Sequence, residues 1–169
     1  MQEDNYNFGY FLENVFKLDI NKSKHGINHW ERVRIIGEDL AKYTGADPEV
    51  VYYFAYCHDV KRVNEGDDPL HGMRAAGFVE GFFNPEHGDL SKKQIDQLIY
   101  ACSFHCRYGS KSDDITIQTC WDADRLDLWR VGIIPDPYFL NTDKAKEKET
   151  IEWSKKLYEN WEDLSDEYN

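Results

Sequence analysis

The sequence predicts an all-α fold in a single domain, and three observations carry that expectation. Apolar residues recur at three- and four-residue spacings through most of the chain, the period of a helix with one buried face. Clusters of Asp, Asn, Gly and Pro interrupt this pattern at intervals suited to helix connections. Alternating β-branched residues, the signature of a strand, are confined to Ile115-Thr116-Ile117. No repeat, low-complexity tract or long linker divides the 169 residues, and that length suits one hydrophobic core.

Residues 6–18 open the pattern, with Phe8, Phe11, Leu12, Val15 and Phe16 forming an apolar stripe. A second helix is expected over 29–44 from Trp30, Val33, Ile36 and Leu40, stopped by Gly45. Asp47-Pro48-Glu49 reads as an N-cap, a first-turn proline and a first-turn carboxylate, and the helix it opens runs through VVYYFAYCHDV. After a loop at 64–69, residues 71–83 suggest a short helix with a small-residue side of Ala75, Ala76 and Gly77. Residues 84–89 form a second loop, in which His87 reads as ordinary surface. Ser91 can cap a helix through Ile95, Leu98, Ile99 and Cys102. A further helix is expected over 115–131, ended by Pro135-Asp136-Pro137. The tail, 144–164, reads as one charged helix carrying Ile151, Trp153, Leu157, Trp161 and Leu164.

Composition excludes several classes of function. The net charge of -12 disfavours extended nucleic acid and anionic membrane surfaces, both of which bind through clustered cations. A 41% hydrophobic, 15% aromatic chain has too much to bury for intrinsic disorder. No apolar run approaches the roughly 20 residues of a membrane span, and the first residues lack the pattern of a signal peptide. A soluble, cytoplasmic protein is the expectation, with Cys57, Cys102, Cys106 and Cys120 as reduced thiols, mostly in the core.

The chemistry-bearing residues fall on the apolar faces. His29 lies four residues before Val33 and seven before Ile36; His58 and Asp59 follow Ala55 by three and four; His105 follows Cys102 by three; Asp124 precedes Leu128 by four. A single histidine in such a place is more often a core residue with one hydrogen bond than a ligand. An inward carboxylate must be paired, hydrogen-bonded or metal-bound. Four helices that each point an imidazole or carboxylate inward satisfy all of these groups at once if they converge on a metal.

The order His29, His58-Asp59, Asp124, set in HGINHWERV, AYCHDVKR and WDADRLDL, resembles the HD superfamily of metal-dependent phosphohydrolases, over about residues 23–140. The resemblance implies a helical bundle of the HD-domain type with a metal site between helices. It implies that His29, His58, Asp59 and Asp124 are the protein ligands of a divalent ion such as Mn, Fe, Ni, Co or Mg. Of the two aspartates in DADRLD, positions two apart on a helix point about 200° apart, so only one faces inward. The superfamily's ligand is the Asp after Ala, which favours Asp124 and leaves Asp122 as the alternative. His71 and His105 extend the set toward the pattern of members that hold two metals bridged by the Asp of the pair. Equally, these two histidines can serve the substrate as phosphate donors or proton carriers. His25, one turn before His29, reads as a pocket-rim residue at the helix entry.

Imidazole and carboxylate ligands leave coordination positions open, and a divalent ion lowers the pKa of water and offsets phosphoryl charge. The implied function is therefore hydrolysis of a phosphoester or phosphoanhydride in a nucleotide or similar small phosphorylated substrate. Lys61, Arg62, Arg74, Arg107 and Arg125 each stand beside candidate ligands, and Lys61 and Arg107 are the expected substrate contacts. HD-type 5'-nucleotidases carry a Glu soon after the pair, whereas here Val60, Lys61, Arg62 and Val63 follow Asp59. That departure argues against nucleoside monophosphatase activity of that type. The alternatives are a di-iron HD-type oxygenase and a non-catalytic nucleotide-binding module. The aromatic-rich ends are also compatible with a homo-oligomer.

Overall fold

The computed structural model describes residues 8–168 apart from 87, 89 and 108, so that His87 and the first two residues of the 6–18 stripe lie outside the described residues. Nine α-helices are present among the described residues, and no strand. They are α1 (Phe8–Phe11), α2 (Ile27–Thr44), α3 (Pro48–Cys57), α4 (His71–Phe82), α5 (Lys92–Phe104), α6 (Ile115–Leu126), α7 (Asp143–Lys146), α8 (Lys148–Glu159) and α9 (Trp161–Tyr168). The helix α2 packs against both α3 and α6, α3 continues the layer onto α5, and α4 pairs with α5. Among the described residues, no helix is long and apolar enough to cross a membrane.

Local chemistry sets most of the boundaries. Gly45 ends α2 in the left-handed conformation at φ 75°. The Asp47 carboxylate accepts from the backbone of Glu49 and Val50 ahead of Pro48. Ser91 and Gln94 form a reciprocal capping box at the start of α5.

Three predicted helices are broken. Residues 6–18 shorten to α1 and a 3-10 turn at Leu12–Asn14, because the chain bends so that Leu12, Phe16 and Ile20 close over Trp30 in a small separate core. The helix expected over 115–131 stops at Leu126 and passes into a 3-10 turn, Leu128–Val131, that Gly132 closes at φ 76°. The tail expected as one helix over 144–164 is three, interrupted by extended backbone at Glu147 and a break at Asn160. These breaks let Ala145, Leu157 and Trp161 each reach the main core, which a straight helix could not do. Ile115-Thr116-Ile117 starts α6 under the Asp114 cap rather than forming a strand.

The main core gathers Val33, Ile36, Phe54, Leu98, Trp121 and Leu126 among others, and Trp121 donates its indole N–H to the Ala101 carbonyl at 3.0 Å. Cys57, Cys102 and Cys120 are buried free thiols; Cys106 is half-buried.

The first turn of α4 lies directly against the last turn of α5. A Cβ on Gly72 would lie 2.6 Å from the Cys102 carbonyl oxygen and 3.2 Å from that of Ser103, so α4 can seat its first turn on α5 only with glycine there. Alanine has the better helix propensity by about 1 kcal/mol. Gly72→Ala is nevertheless expected to destabilise by about 1–3 kcal/mol, as overpacking does, in urea unfolding. A stabilised variant would show that the contact yields freely.

Candidate metal centre

The clustered side chains come from helix ends. His29 stands in the first turn of α2 and His71 is the first residue of α4. His58 and His105 are the C-caps of α3 and α5, and Asp124 is in the last turn of α6. Asp59 follows His58 in the turn after α3, where Arg62 N–H bonds back to its carbonyl. Three helix C-termini thus face the cluster, an arrangement favourable to a cation.

Two imidazole pairs flank one carboxylate. His29 Nε2 and His58 Nε2 are 3.0 Å apart, and His71 Nε2 and His105 Nε2 are 2.9 Å apart. Asp59 reaches the second pair with Oδ1, at 3.1 and 3.4 Å, and the first pair with Oδ2, at 3.7 Å from each ring. Asp124 Oδ1 closes the first group at 3.4 Å from His29 and 3.6 Å from His58. His25, placed by sequence at the rim, is buried and contacts Asp59 Oδ2 through Nδ1 at 2.9 Å.

Neither imidazole pair is a hydrogen bond. His58 Nδ1 faces the carbonyls of Phe54 and Ala55 at 3.0 Å, His105 Nδ1 that of Cys102 at 2.7 Å, and His71 Nδ1 that of Asp68. His29 Nδ1 faces Asp127 Oδ2 at 2.7 Å. With Nδ1 donating to these oxygens, Nε2 is the atom of each ring that is left to offer a lone pair when the ring is neutral. Two such lone pairs meet at about 3 Å in both pairs, and Asp124 Oδ1 is buried with no hydrogen-bond partner among the described residues. Bonds of about 2.1 Å to one ion separate donor atoms by about 3.0 Å at right angles and about 3.4 Å at tetrahedral angles. The spacings within both imidazole pairs, from Asp124 to His29 and from Asp59 Oδ1 to the second pair match. Asp59 Oδ2 stands a few tenths of an ångström farther from the first pair, and the donor set fits a divalent ion at the first pair and a second one across Asp59.

The electrostatics agree at His58 and the two carboxylates, whereas at His105 burial is outweighed by the pull of Asp59 and Asp124, which raises the imidazole. Burial pushes the His58 imidazole down to about 3, against the pull of Asp59 and Asp124, so it is the neutral base a metal requires. Burial works against ionisation of Asp59, yet His58, His105, His25 and His71 hold its carboxyl well below the usual carboxylate range. Asp124 is likewise held low, against burial, by His29, His58 and Arg130.

Around the donors lies a second set of fixing groups. Arg32 donates to both oxygens of Asp127, at 2.6 and 3.0 Å, and Asp127 in turn orients His29, a carboxylate behind a candidate ligand imidazole. Sequence reading passed over Asp127 and Arg32; the spacing of three between Asp124 and Asp127 was the available signal. Asp122, the alternative ligand, faces away and accepts four hydrogen bonds from Asn141 and Thr142 at 2.7–2.9 Å.

The cluster floors a pocket of about 240 Å³ lined by Arg62, Arg107, Arg125 and Arg130. Arg107, an expected substrate contact, is among the residues that line it. Lys61 is not: the turn after Asp59 carries it to the other side, with its ammonium over the Phe78 ring at 5.4 Å, and it does not line the pocket. Arg130, which sequence reading did not single out, lies 3.5 Å from Asp124 and has a buried Nε with no hydrogen-bond partner among the described residues. Arg74 is spent on Asp68, at 2.6 and 2.7 Å.

No family model matches the sequence, and no curated protein matches it. Among solved structures, the crystal structure of a predicted HD superfamily hydrolase from an uncultured Thermotogales bacterium is similar, with a TM-score of 0.64. The match covers 95% of this chain and 91% of that one at 21% identity. The chain has the HD-domain fold. Within that HD-domain fold, the His/Asp cluster sits between the helices, where the donors of α2, α3 and α6 meet those of α4 and α5.

If the cluster holds ions, folding and metal binding are linked. Protein loaded with Mn²⁺ is expected to melt well above the same protein in excess EDTA, by the equivalent of about 2.7 kcal/mol at a free ion concentration of 100 Kd. Coincident melting curves would remove metal binding from the account.

Proposed function

We propose that this protein is a metal-dependent phosphohydrolase that uses His29, His58, Asp59 and Asp124 as ligands of a divalent ion and His71, His105 and Asp59 for a second one. Its substrate on this reading is a nucleotide or similar small phosphorylated compound. The observation that carries the proposal is the shape of the donor set. One carboxylate stands between two imidazole pairs whose lone pairs face each other, under an arginine-lined pocket.

A bound divalent ion supplies Lewis acidity toward phosphoryl oxygen and a water of lowered pKa. The protein's own groups do the rest. Arg130 and Arg107 offer guanidinium donors to the phosphoryl oxygens, and their charge lets an acidic protein accept an anion in this one pocket. Asp127, held by Arg32, keeps the His29 ring in the tautomer that presents Nε2. His25 sits against Asp59 at the pocket and holds its Oδ2 in place through Nδ1.

The test is a panel of nucleoside tri-, di- and monophosphates, pyrophosphate and phosphodiesters, with Mn²⁺, Fe²⁺, Co²⁺, Ni²⁺ and Mg²⁺, alongside elemental analysis of the purified protein. Release of phosphate or pyrophosphate that EDTA stops supports the reading. Metal-loaded, folded protein that hydrolyses no member of the panel overturns it. Because the two imidazole pairs also suit two irons, oxygen uptake is followed in the same samples; uptake without phosphate release assigns the site to oxygenase chemistry instead.

A further inference from the structure

The pocket over the His/Asp cluster is too small for a whole nucleotide-sized ligand. Its 240 Å³ falls below the roughly 300 Å³ at which ligand pockets begin. A cavity of about 1050 Å³ adjoins it, and Arg125, Leu128 and Ile133 line both. The far wall of this cavity is the 133–141 segment, and of its apolar side chains Ile133, Ile134, Tyr138 and Phe139 face water. Ile134 is 72% exposed and Tyr138 84%.

That exposure is built, not slack. Asp136 caps the turn Pro137–Phe139 by accepting from Tyr138 N–H at 2.9 Å, and two prolines restrict the backbone. Arg125 donates to the Phe139 carbonyl at 2.7 Å, and Leu140 is anchored in the main core. Asp122 grips the end of the segment with its four hydrogen bonds from Asn141 and Thr142. A large aromatic held out on a fixed loop beside a site marks a place where something stacks. Polar groups are also at hand. Gln118 and Asn141 line the cavity with one amide N–H each already committed, to the Ser112 carbonyl and to Asp122. Each amide still offers a ligand its carbonyl oxygen, an acceptor for ring N–H or exocyclic amine, and a second N–H.

We infer that this outer cavity is the subsite for the nucleobase of the substrate, with Tyr138 as its stacking surface, while the phosphates extend past Arg125 into the pocket over the cluster. The inference rests on the phosphohydrolase reading and narrows its substrate to phosphates that carry a base. Inorganic polyphosphates and small alkyl phosphates fill only the inner pocket.

The experiment compares the four ribonucleoside triphosphates with inorganic tripolyphosphate, in the wild type, Tyr138→Ala and Tyr138→Phe, by steady-state kinetics and by calorimetric binding. At least one nucleotide should exceed tripolyphosphate in kcat/KM by about tenfold, within the range of a base-to-aromatic stack. Tyr138→Ala should erase that advantage through KM, Tyr138→Phe should keep it, and tripolyphosphate turnover should be unchanged in both. Equal turnover of tripolyphosphate and all four nucleotides, or an unchanged nucleotide KM in Tyr138→Ala, overturns the subsite and leaves the hydrolase reading standing. If none of the five is hydrolysed, the hydrolase reading fails for this class, and binding decides the subsite. Nucleotide binding weakened by Tyr138→Ala supports it, and absence of binding by all four overturns it.

Discussion

Asp59→Ala is expected to lower metal-dependent phosphate release by about 1000-fold or more, beyond the 10- to 100-fold typical of losing a group behind a ligand. Its two oxygens are the groups that approach both imidazole pairs, His71 and His105 on one side, His29 and His58 on the other. Removing it takes one donor from each proposed ion and leaves His25 without its buried partner. Elemental analysis should show metal falling together with activity. Asp59→Asn retains the shape without the charge and should also lose the ions. Variants that keep both metal and turnover would show that the carboxylate is not a ligand. Circular dichroism separates loss of a donor from loss of the fold, because removing one member of a buried charged cluster costs about 3–5 kcal/mol.

Asp127→Ala should act mainly on stability. Arg32 is buried and bonds Asp127 through two nitrogens, so the alanine variant strands a guanidinium in the interior. Breaking one side of such a pair costs about 3–5 kcal/mol. Its contacts with the Tyr158 and Trp161 rings, at 5.2 and 5.5 Å, offset only part of that loss. Chemical denaturation should show the full deficit in the absence of metal, and metal affinity should fall by about 10- to 100-fold, because the His29 ring loses the group that fixes its tautomer. The double variant Asp127→Ala/Arg32→Met should recover much of the stability and none of the affinity. Recovery of both would mean that Asp127 is needed only as a counter-charge.

The elements that sequence reading located best are those whose ends carry their own chemistry. Asp47, Ser91 and Gly45 act on neighbours within four residues, and local patterns find them. The segments misread as continuous helices share another cause. Asn160 and Glu147 break the tail because Trp161, Leu157 and Ala145 are drawn into a core assembled from helices along the whole chain. Periodicity within a window has no access to that pull. The site shows the same division. His29, His58, Asp59, Asp124, His71 and His105 meet as a cluster, because inward imidazoles and carboxylates need one another wherever the helices bring them. Lys61 failed because a tight turn decides its direction, and Asp127 and Arg130 were overlooked because their meaning depends on the helix stopping at Leu126.

That stop gives the DADRLD segment two sides. Asp124 and Asp127 turn toward the donor cluster, while Asp122 and Arg125, each three apart in the same register, hold the 133–141 segment. A single short stretch of backbone thus carries part of the donor cluster on one side and the wall of the outer cavity on the other. Substitutions at Asp122 or Arg125 therefore act on the loop and, through the same turn of helix, on the position of Asp124 and Asp127.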